Sequence, residues 1–147
     1  MIEDKPEGAR YRKAPGHLWP AGILSLLWNA WGTYISIAAQ SGALPHLRAE
    51  EQAYFASQPL WLVVFADAGL LAGLCGAVAL LLQHRSAVWL YAAMFVTLVL
   101  TNIYDLIAGI SPMLSQPMAI GGSVFLFAVM ALQFVYARAM RRRGVLE

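Results

Sequence analysis

Charged residues are scarce in this chain. Only 12% of its 147 residues are Asp, Glu, Lys or Arg, against about a quarter in a typical soluble domain. Hydrophobic residues make up 60% of the chain, and its mean hydropathy is +0.61. So few charged side chains are a poor match to a surface that faces water on all sides, and we therefore expect an integral membrane protein.

Cysteine and histidine are also rare. The single cysteine, Cys75, excludes a disulfide within the chain, and its apolar neighbours argue against a reactive thiol. The three histidines, His17, His46 and His84, lie at the ends of apolar segments or between them, whereas a haem held between membrane helices needs histidines inside those helices. The sequence also contains no metal-ligand spacing, phosphate-binding glycine loop or nucleophile motif. We therefore expect no cofactor, no metal site and no enzyme activity.

Four long windows contain no Lys, Arg or Glu. Each has about 20 residues, the length that an α-helix needs to cross roughly 30 Å of hydrocarbon, whereas membrane strands would be shorter and would alternate. The windows are residues 18–39, 60–82, 87–108 and 117–137. The predicted fold is thus all-α, a four-helix membrane bundle over residues 18–137, with an N-terminal arm (1–17), a basic tail (138–147) and no second domain.

Lysine and arginine are distributed unevenly between these windows. The arm contains four, the turn at 83–86 one and the tail four, whereas the 40–59 loop contains one and the 109–116 loop none. By the positive-inside rule, both termini are expected on the cytoplasmic side of the membrane. The basic ends flank membrane windows, so they are interpreted as lipid-facing and not as nucleic-acid binding. A cleaved signal peptide ending near IAAQSGA is a less favoured alternative for the first window.

Polar residues inside the windows recur at helical spacing. The first window carries a stripe that should face the other helices, formed by Ser25, Asn29, Gly32, Ser36 and Gln40. The third window clusters Thr101, Asn102 and Asp105 on one side. In the second window, Gly69, Gly73 and Gly76 form a glycine face that allows close helix packing, and Asp67 lies about 100° away from it.

The short turn at 83–86 should fold the second and third windows into an antiparallel hairpin. Its centre lies between His84 and Arg85, which predicts that Asp67 is level with Asn102. The expected result is a polar pocket in the periplasmic half of the bundle, formed by Asn29, Asp67, Asn102 and, at its mouth, Asp105.

Asp67 lies in a window that offers it no basic partner. A charged side chain near the bilayer centre costs at least roughly 2.5–3.5 kcal/mol on insertion scales. We therefore expect Asp67 to be neutral, hydrated through a cavity or bound to a cation, as a proton or ligand site. The alternative is a protonated Asp67 that hydrogen-bonds to Asn102 or Asn29 and fixes the helix register.

The 40–59 loop shows a pattern of its own. Pro45 can begin a helix and Pro59 can end one, while Leu47, Tyr54 and Phe55 recur at helical spacing between them. The pattern predicts a short amphipathic helix on the periplasmic side. It could rest on the lipid head groups or cover the polar pocket.

Four sequence stretches carry a resemblance to a known family: LLWNAWGTY, EEQAYFASQPLW, GLLAGLCGAVALLL and RSAVWLYAAMF. They resemble small, uncharacterised four-transmembrane-helix proteins of bacterial inner membranes, some of which carry a transporter label. Shared features are a Trp-Asn pair in the first helix, a Tyr-Phe pair followed by Pro-x-Trp, and a glycine-rich second helix. The resemblance implies an architecture and an inner-membrane location, and it implies no catalytic residue.

Three function classes remain open from the sequence, and the least favoured is a membrane enzyme, for which only Asp67, Asp105 and asparagine side chains are available. Two others are favoured. The first is proton-linked transport or sensing of a small solute at the polar pocket, by a chain that forms a homo-oligomer because four helices make a thin wall. The second is an accessory or structural membrane subunit that packs on a partner protein through its glycine face. In that second class Asp67 is a buried structural acid.

Overall fold

The computed structural model describes residues 14–44, 49–110 and 117–146, and the regular structure within these ranges is helical throughout. It comprises α1 (Leu18–Gln40), α2 (Ala49–Ser57), α3 (Leu60–Leu81), α4 (Ser86–Ile107) and α5 (Pro117–Arg142). The predicted all-α class is confirmed. The first thirteen residues, Pro45 and the segment 111–116 lie outside the described residues.

Three of the described helices are long and apolar enough to cross a membrane: α3, α4 and the part of α5 from Ile120 to Arg142. This agrees with the expected membrane class. Helix α1 also forms in its predicted window but is not among these three, because Asn29, Ser36 and several Trp and Tyr side chains make it more polar. Length and composition alone thus support three of the four predicted spans.

The long helices pack in a defined order, with α3 against both α1 and α4, and α4 against α5. The connection between α3 and α4 makes them antiparallel neighbours. In that connection Gln83 adopts a left-handed backbone with φ 57°, and the N–H of His84 donates to the carbonyl of Ala79 at 2.8 Å. This hydrogen bond closes the end of α3 as in a Schellman motif. We call this end of the molecule the turn end, and the opposite end, where α2 lies, the α2 end.

The glycine face of α3 packs inside the chain, as predicted for helix packing. A Cβ atom at Gly69 would approach Thr97 of α4 to 2.8 Å, and one at Gly76 would meet Tyr91 at 3.2 Å. A Cβ atom at Gly73 would overlap Met94 of α4 and Asn29 of α1. The face is therefore covered by the chain's own helices.

These contacts also correct the predicted register. Helix α3 ends at Leu81 and α4 begins at Ser86, each one residue earlier than predicted, which displaces the pairing of the two helices by two positions. Gly73 consequently faces Met94, and Asp67 is level with Leu100 rather than with Asn102.

Large apolar side chains cover the outer surface of the helices. Trp31 is 63% exposed, Trp89 68% and Leu132 68%, while Tyr91, Leu18 and Met94 are fully buried between helices. Soluble monomers rarely show so much exposed apolar surface, whereas lipid chains contact such a surface favourably. The distribution supports the membrane class independently of helix length.

Candidate ligand-binding site

A cavity of about 560 Å³ opens between the helices at the α2 end, and all five helices contribute to its wall. Its polar lining consists of Asn29, Ser36, Gln40, Tyr54, Gln58, Thr101, Asn102, Asp105 and Ser123. Its apolar lining includes Trp28, Leu70, Met94, Leu98, Phe127 and Met130. We call this space the outer cavity. Three of the four residues predicted to form the polar pocket, Asn29, Asn102 and Asp105, line it.

Asp105 is the carboxylate among the described lining residues of the outer cavity, and it is buried, with 2% of its surface exposed. The hydroxyl of Tyr54 donates to its Oδ2 at 2.6 Å, and Gln58 Nε2 reaches the same oxygen at 3.5 Å. The other oxygen, Oδ1, is buried and has no hydrogen-bond partner among the described residues. A buried polar atom without a partner costs about 1–3 kcal/mol, so Asp105 Oδ1 is suited to accept a hydrogen bond from a ligand.

Helix α2 lies over the outer cavity and is held there through Tyr54. Besides donating to Asp105, the Tyr54 hydroxyl accepts a hydrogen bond from Gln58 Nε2 at 2.8 Å. Phe55 packs edge-on against the Tyr54 ring, with 5.3 Å between the ring centroids, and it also lines the cavity. The short helix predicted in the 40–59 loop therefore forms, and its position agrees with the covering role.

The docking of α2 should depend on pH through Tyr54. Burial, together with the hydrogen bond to Asp105 and the charge of Asp105, raises the pKa of Tyr54 above its ordinary value. The folded state thus favours the neutral phenol. The buried, neutral Tyr54 side chain makes its full contribution to stability below the unfolded tyrosine pKa of about 10. This contribution is lost as the pH rises from there through the pKa of Tyr54 in the folded state.

We expect the thermal stability of the wild type to fall as the pH rises above about 10, the unfolded tyrosine pKa, with a smaller fall for Tyr54→Phe. The matched control is Tyr34→Phe, since Tyr34 is an exposed tyrosine of α1 and its replacement should leave the pH dependence of the wild type intact. Equal pH dependence in all three proteins would contradict a titrating Tyr54.

The two asparagines that line the outer cavity are bonded within their own helices. Asn29 Nδ2 donates to the carbonyl of Ser25 at 2.7 Å, and Asn102 Nδ2 donates to the carbonyl of Leu98 at 2.9 Å. Asn29 is almost completely buried, with 4% of its surface exposed. Asn29 Nδ2 also donates to Ser25 Oγ at 3.4 Å. These bonds fix the direction of both side chains.

Asp67 occupies a different position from the one predicted. It lies between α1 and α3, where its Oδ1 accepts hydrogen bonds from Ser36 Oγ at 2.9 Å and from Gln40 Nε2 at 3.2 Å. It is absent from the lining of the outer cavity. The expected bonds to Asn102 or Asn29 are therefore wrong. Asp67 bonds instead to Ser36 and Gln40, which lie nearer the C-terminal end of α1 than Asn29 does. Ser36 and Gln40, which do line the cavity, link Asp67 to it.

Sequence reasoning missed the site contribution of Tyr54 and Gln58. Both were seen only as part of a loop with a possible covering helix. Their spacing of four residues puts both side chains on one side of a helical turn, directly before Pro59. A Tyr and a Gln at this spacing beside a membrane window were the signal that could have identified them.

A second, less polar cavity of about 400 Å³ lies toward the turn end, between α1 and α5. Trp28 lines both cavities and packs edge-on against Phe125 of α5, with 5.7 Å between the ring centroids. We call this space the inner cavity. Its wall includes the hydrogen-bonded pair of Ser25 and Tyr91, whose oxygens are 2.6 Å apart. Because it lacks a carboxylate in its lining, the outer cavity is the better candidate for a polar ligand.

Within the described ranges, no three His, Cys, Asp or Glu side chains come together as a metal site would require. No protein-family model, curated protein or solved structure matches this chain. The resemblance drawn from the sequence motifs thus stays an expectation.

Proposed function

We propose that this chain is a multi-pass protein of the bacterial inner membrane that binds a small solute in the outer cavity. The observation that carries the proposal is the buried, unpartnered Oδ1 of Asp105 in the wall of that cavity. A ligand that donates a hydrogen bond, or carries a positive charge, would satisfy this oxygen. A volume of about 560 Å³ lies within the range of about 300–1,000 Å³ found for small-molecule sites.

The apolar walls narrow the class of solute. Trp28, Phe127, Met94 and Leu98 surround the polar cluster, and aromatic faces attract organic cations while thioethers adapt to varied shapes. A small amine, or another molecule with one donor group on an apolar body, matches this lining best. The proposed solute therefore bonds to Asp105 through its polar group and contacts the aromatic walls with the remainder.

Helix α1 is proposed as the fourth membrane span. Its polar side chains are directed inward, since Ser25 is 6% exposed, Asn29 4% and Thr33 9%. Its outward side chains, including Trp31 and Tyr34, are large and exposed. Lipid would thus contact its apolar side alone. With four spans, the distribution of Lys and Arg favours cytoplasmic termini and a periplasmic α2.

The two cavities favour transport or sensing over simple storage of a solute. They lie on either side of Trp28, which contacts Phe125 across the space between α1 and α5. A rearrangement of this aromatic contact would join them into a path along the helices. Asp105 could release or accept a proton as the solute binds, which would link the process to protons. A homo-oligomer would thicken the thin wall that four helices provide.

The alternative, an accessory subunit that packs on a partner through the glycine face, is less favoured. Gly69, Gly73 and Gly76 already face α4, and Gly73 also faces Asn29. A partner protein would have to dock on another surface. Asp67, bonded by Ser36 and Gln40, suits a structural acid that joins α1 to α3 under either function.

The test compares two carboxylates in detergent-purified protein. Thermal stability is measured for wild type, Asp105→Asn and Asp67→Asn with choline and phenethylammonium, and with the neutral isosteres 3,3-dimethylbutanol and 2-phenylethanol. A ligand at 100 times its Kd stabilises a folded protein by about 2.7 kcal/mol. We expect at least one solute to raise the melting temperature of wild type and Asp67→Asn, and to have no effect on Asp105→Asn.

Asp105→Asn tests the role of Oδ1 specifically, because the amide oxygen of the asparagine can still accept the hydrogen bond from the Tyr54 hydroxyl. Its amide group would then present a donor to the outer cavity in place of the acceptor Oδ1. A solute shift that survives unchanged in Asp105→Asn would exclude Asp105 as the contact. A complete absence of shifts in the wild type would count against binding of this solute class.

A further inference from the structure

A groove at the turn end, distinct from both cavities, brings three arginines together. It lies between the first turns of α4 and the last turns of α5 and has a volume of about 470 Å³. Arg138, Arg141 and Arg142 line one side of it, and their spacing of three and four residues puts them on one face of α5. Val88 and Trp89 of α4 line the other side. We call this space the arginine groove.

Among the described residues, no carboxylate lines the arginine groove, so the charge of its three arginines is not balanced within that lining. Asp67 and Asp105 lie toward the α2 end and are bonded to other side chains. Three exposed guanidinium groups, with no carboxylate among the described residues of the wall, create a strong positive potential. Such a potential favours an anion, and guanidinium groups match phosphate oxygens with paired hydrogen bonds.

The remainder of the lining is apolar. Val88, Ala92 and Phe134 form it together with Trp89, whose ring is 68% exposed. An inorganic phosphate ion would gain nothing from these side chains. A molecule with a phosphate group next to an apolar body would contact both parts of the groove.

We infer that the arginine groove binds the phosphate group of an anionic phospholipid. The groove lies at one end of α4 and α5, both long and apolar enough to span a membrane, so it meets the head-group layer. Basic pockets between membrane helices on the cytoplasmic side are suited to anionic head groups, and exposed Trp rings favour the same depth. The three arginines hold the phosphate, and the apolar side chains contact the glycerol and the start of an acyl chain. This site is independent of the solute proposed for the outer cavity.

The experiment titrates delipidated protein in detergent with short-chain phosphatidylglycerol, with phosphatidylcholine of the same chain length, and with inorganic phosphate. The thermal midpoint at each concentration yields an apparent Kd. The variants are Arg141→Gln, the triple replacement of Arg138, Arg141 and Arg142 by Gln, and the control Arg143→Gln. The substitution Arg143→Gln also removes one positive charge beside the three arginines, but Arg143 does not line the arginine groove.

We expect phosphatidylglycerol to stabilise the wild type at concentrations where phosphatidylcholine and phosphate have no effect. Its apparent Kd should rise about fivefold for each groove arginine removed and stay unchanged in Arg143→Gln. Equal effects of the two lipids on the wild type would overturn the proposal, even if a variant failed to fold. So would binding of inorganic phosphate as tight as that of phosphatidylglycerol, or equal losses in Arg141→Gln and Arg143→Gln.

Discussion

Replacing Gly73 with alanine is expected to destabilise the packed helices by about 1–3 kcal/mol, the usual cost of overpacking a tight core. The added methyl group would overlap Met94 of α4 on one side and Asn29 of α1 on the other. Relief of either overlap moves a side chain that lines the outer cavity. The free energy of unfolding in mixed micelles, measured by titration with a denaturing detergent, provides the value.

The matched control for Gly73→Ala is Gly121→Ala in α5. Gly121 is also a helical glycine, but a Cβ atom there meets no other atom within 4 Å. Alanine is preferred to glycine inside a helix by roughly 0.5–1 kcal/mol, so this variant should be as stable as the wild type or slightly more so. A Gly73→Ala protein as stable as Gly121→Ala would show that α1, α3 and α4 do not approach each other as closely as described.

The second large effect is expected from the contact between Tyr54 and Asp105, which connects α2 to α4. Hydrogen bonds to charged groups contribute about 1.5–3 kcal/mol, and this one, at 2.6 Å, is short. A double-mutant cycle with Tyr54→Phe, Asp105→Leu and the double variant should show a coupling energy in that range. The coupling energy is calculated from the free energies of unfolding of the wild type, the two single variants and the double variant.

Amide hydrogen exchange at neutral pH shows which part of the chain is destabilised when the contact between Tyr54 and Asp105 is lost. Tyr54→Phe should increase exchange across α2 while leaving the middle of α3 and α4 protected, because it removes the hydrogen bond that connects α2 to Asp105 of α4. The control Tyr34→Phe should change neither region. Unchanged exchange in Tyr54→Phe, or a coupling energy near zero, would mean that α2 is held in place by something other than the Asp105 contact.

These two effects bear on the solute site in different ways. Gly73→Ala acts on the deep wall of the outer cavity through Asn29 and Met94, whereas Tyr54→Phe acts on its cover. If the proposed solute enters from the α2 end, Tyr54→Phe should accelerate both binding and release and alter affinity less than Asp105→Asn does.

The sequence by itself determined the membrane class, the approximate helix positions and the inward stripe of α1, although α5 continues to Arg142, beyond its predicted end at 137. Long windows free of Lys, Arg and Glu have few alternatives to membrane helices, since a backbone in lipid must satisfy its own hydrogen bonds. The recurrence of Ser25, Asn29 and Ser36 at helical spacing was equally sufficient to predict their inward direction, because that depends only on the period of the helix. The glycine face was predictable for the same reason.

The tertiary structure alone decided which carboxylate is left with an unpartnered oxygen. From the sequence Asp67 was the prominent candidate, because it lies deeper in its window than Asp105. Its environment depended on how α3 packs against α1, where Ser36 and Gln40 donate to its Oδ1. The burial of Asp105 depended on α2, whose Tyr54 reaches it across 51 positions of sequence. Such contacts between distant segments follow from register and docking, which no local pattern specifies.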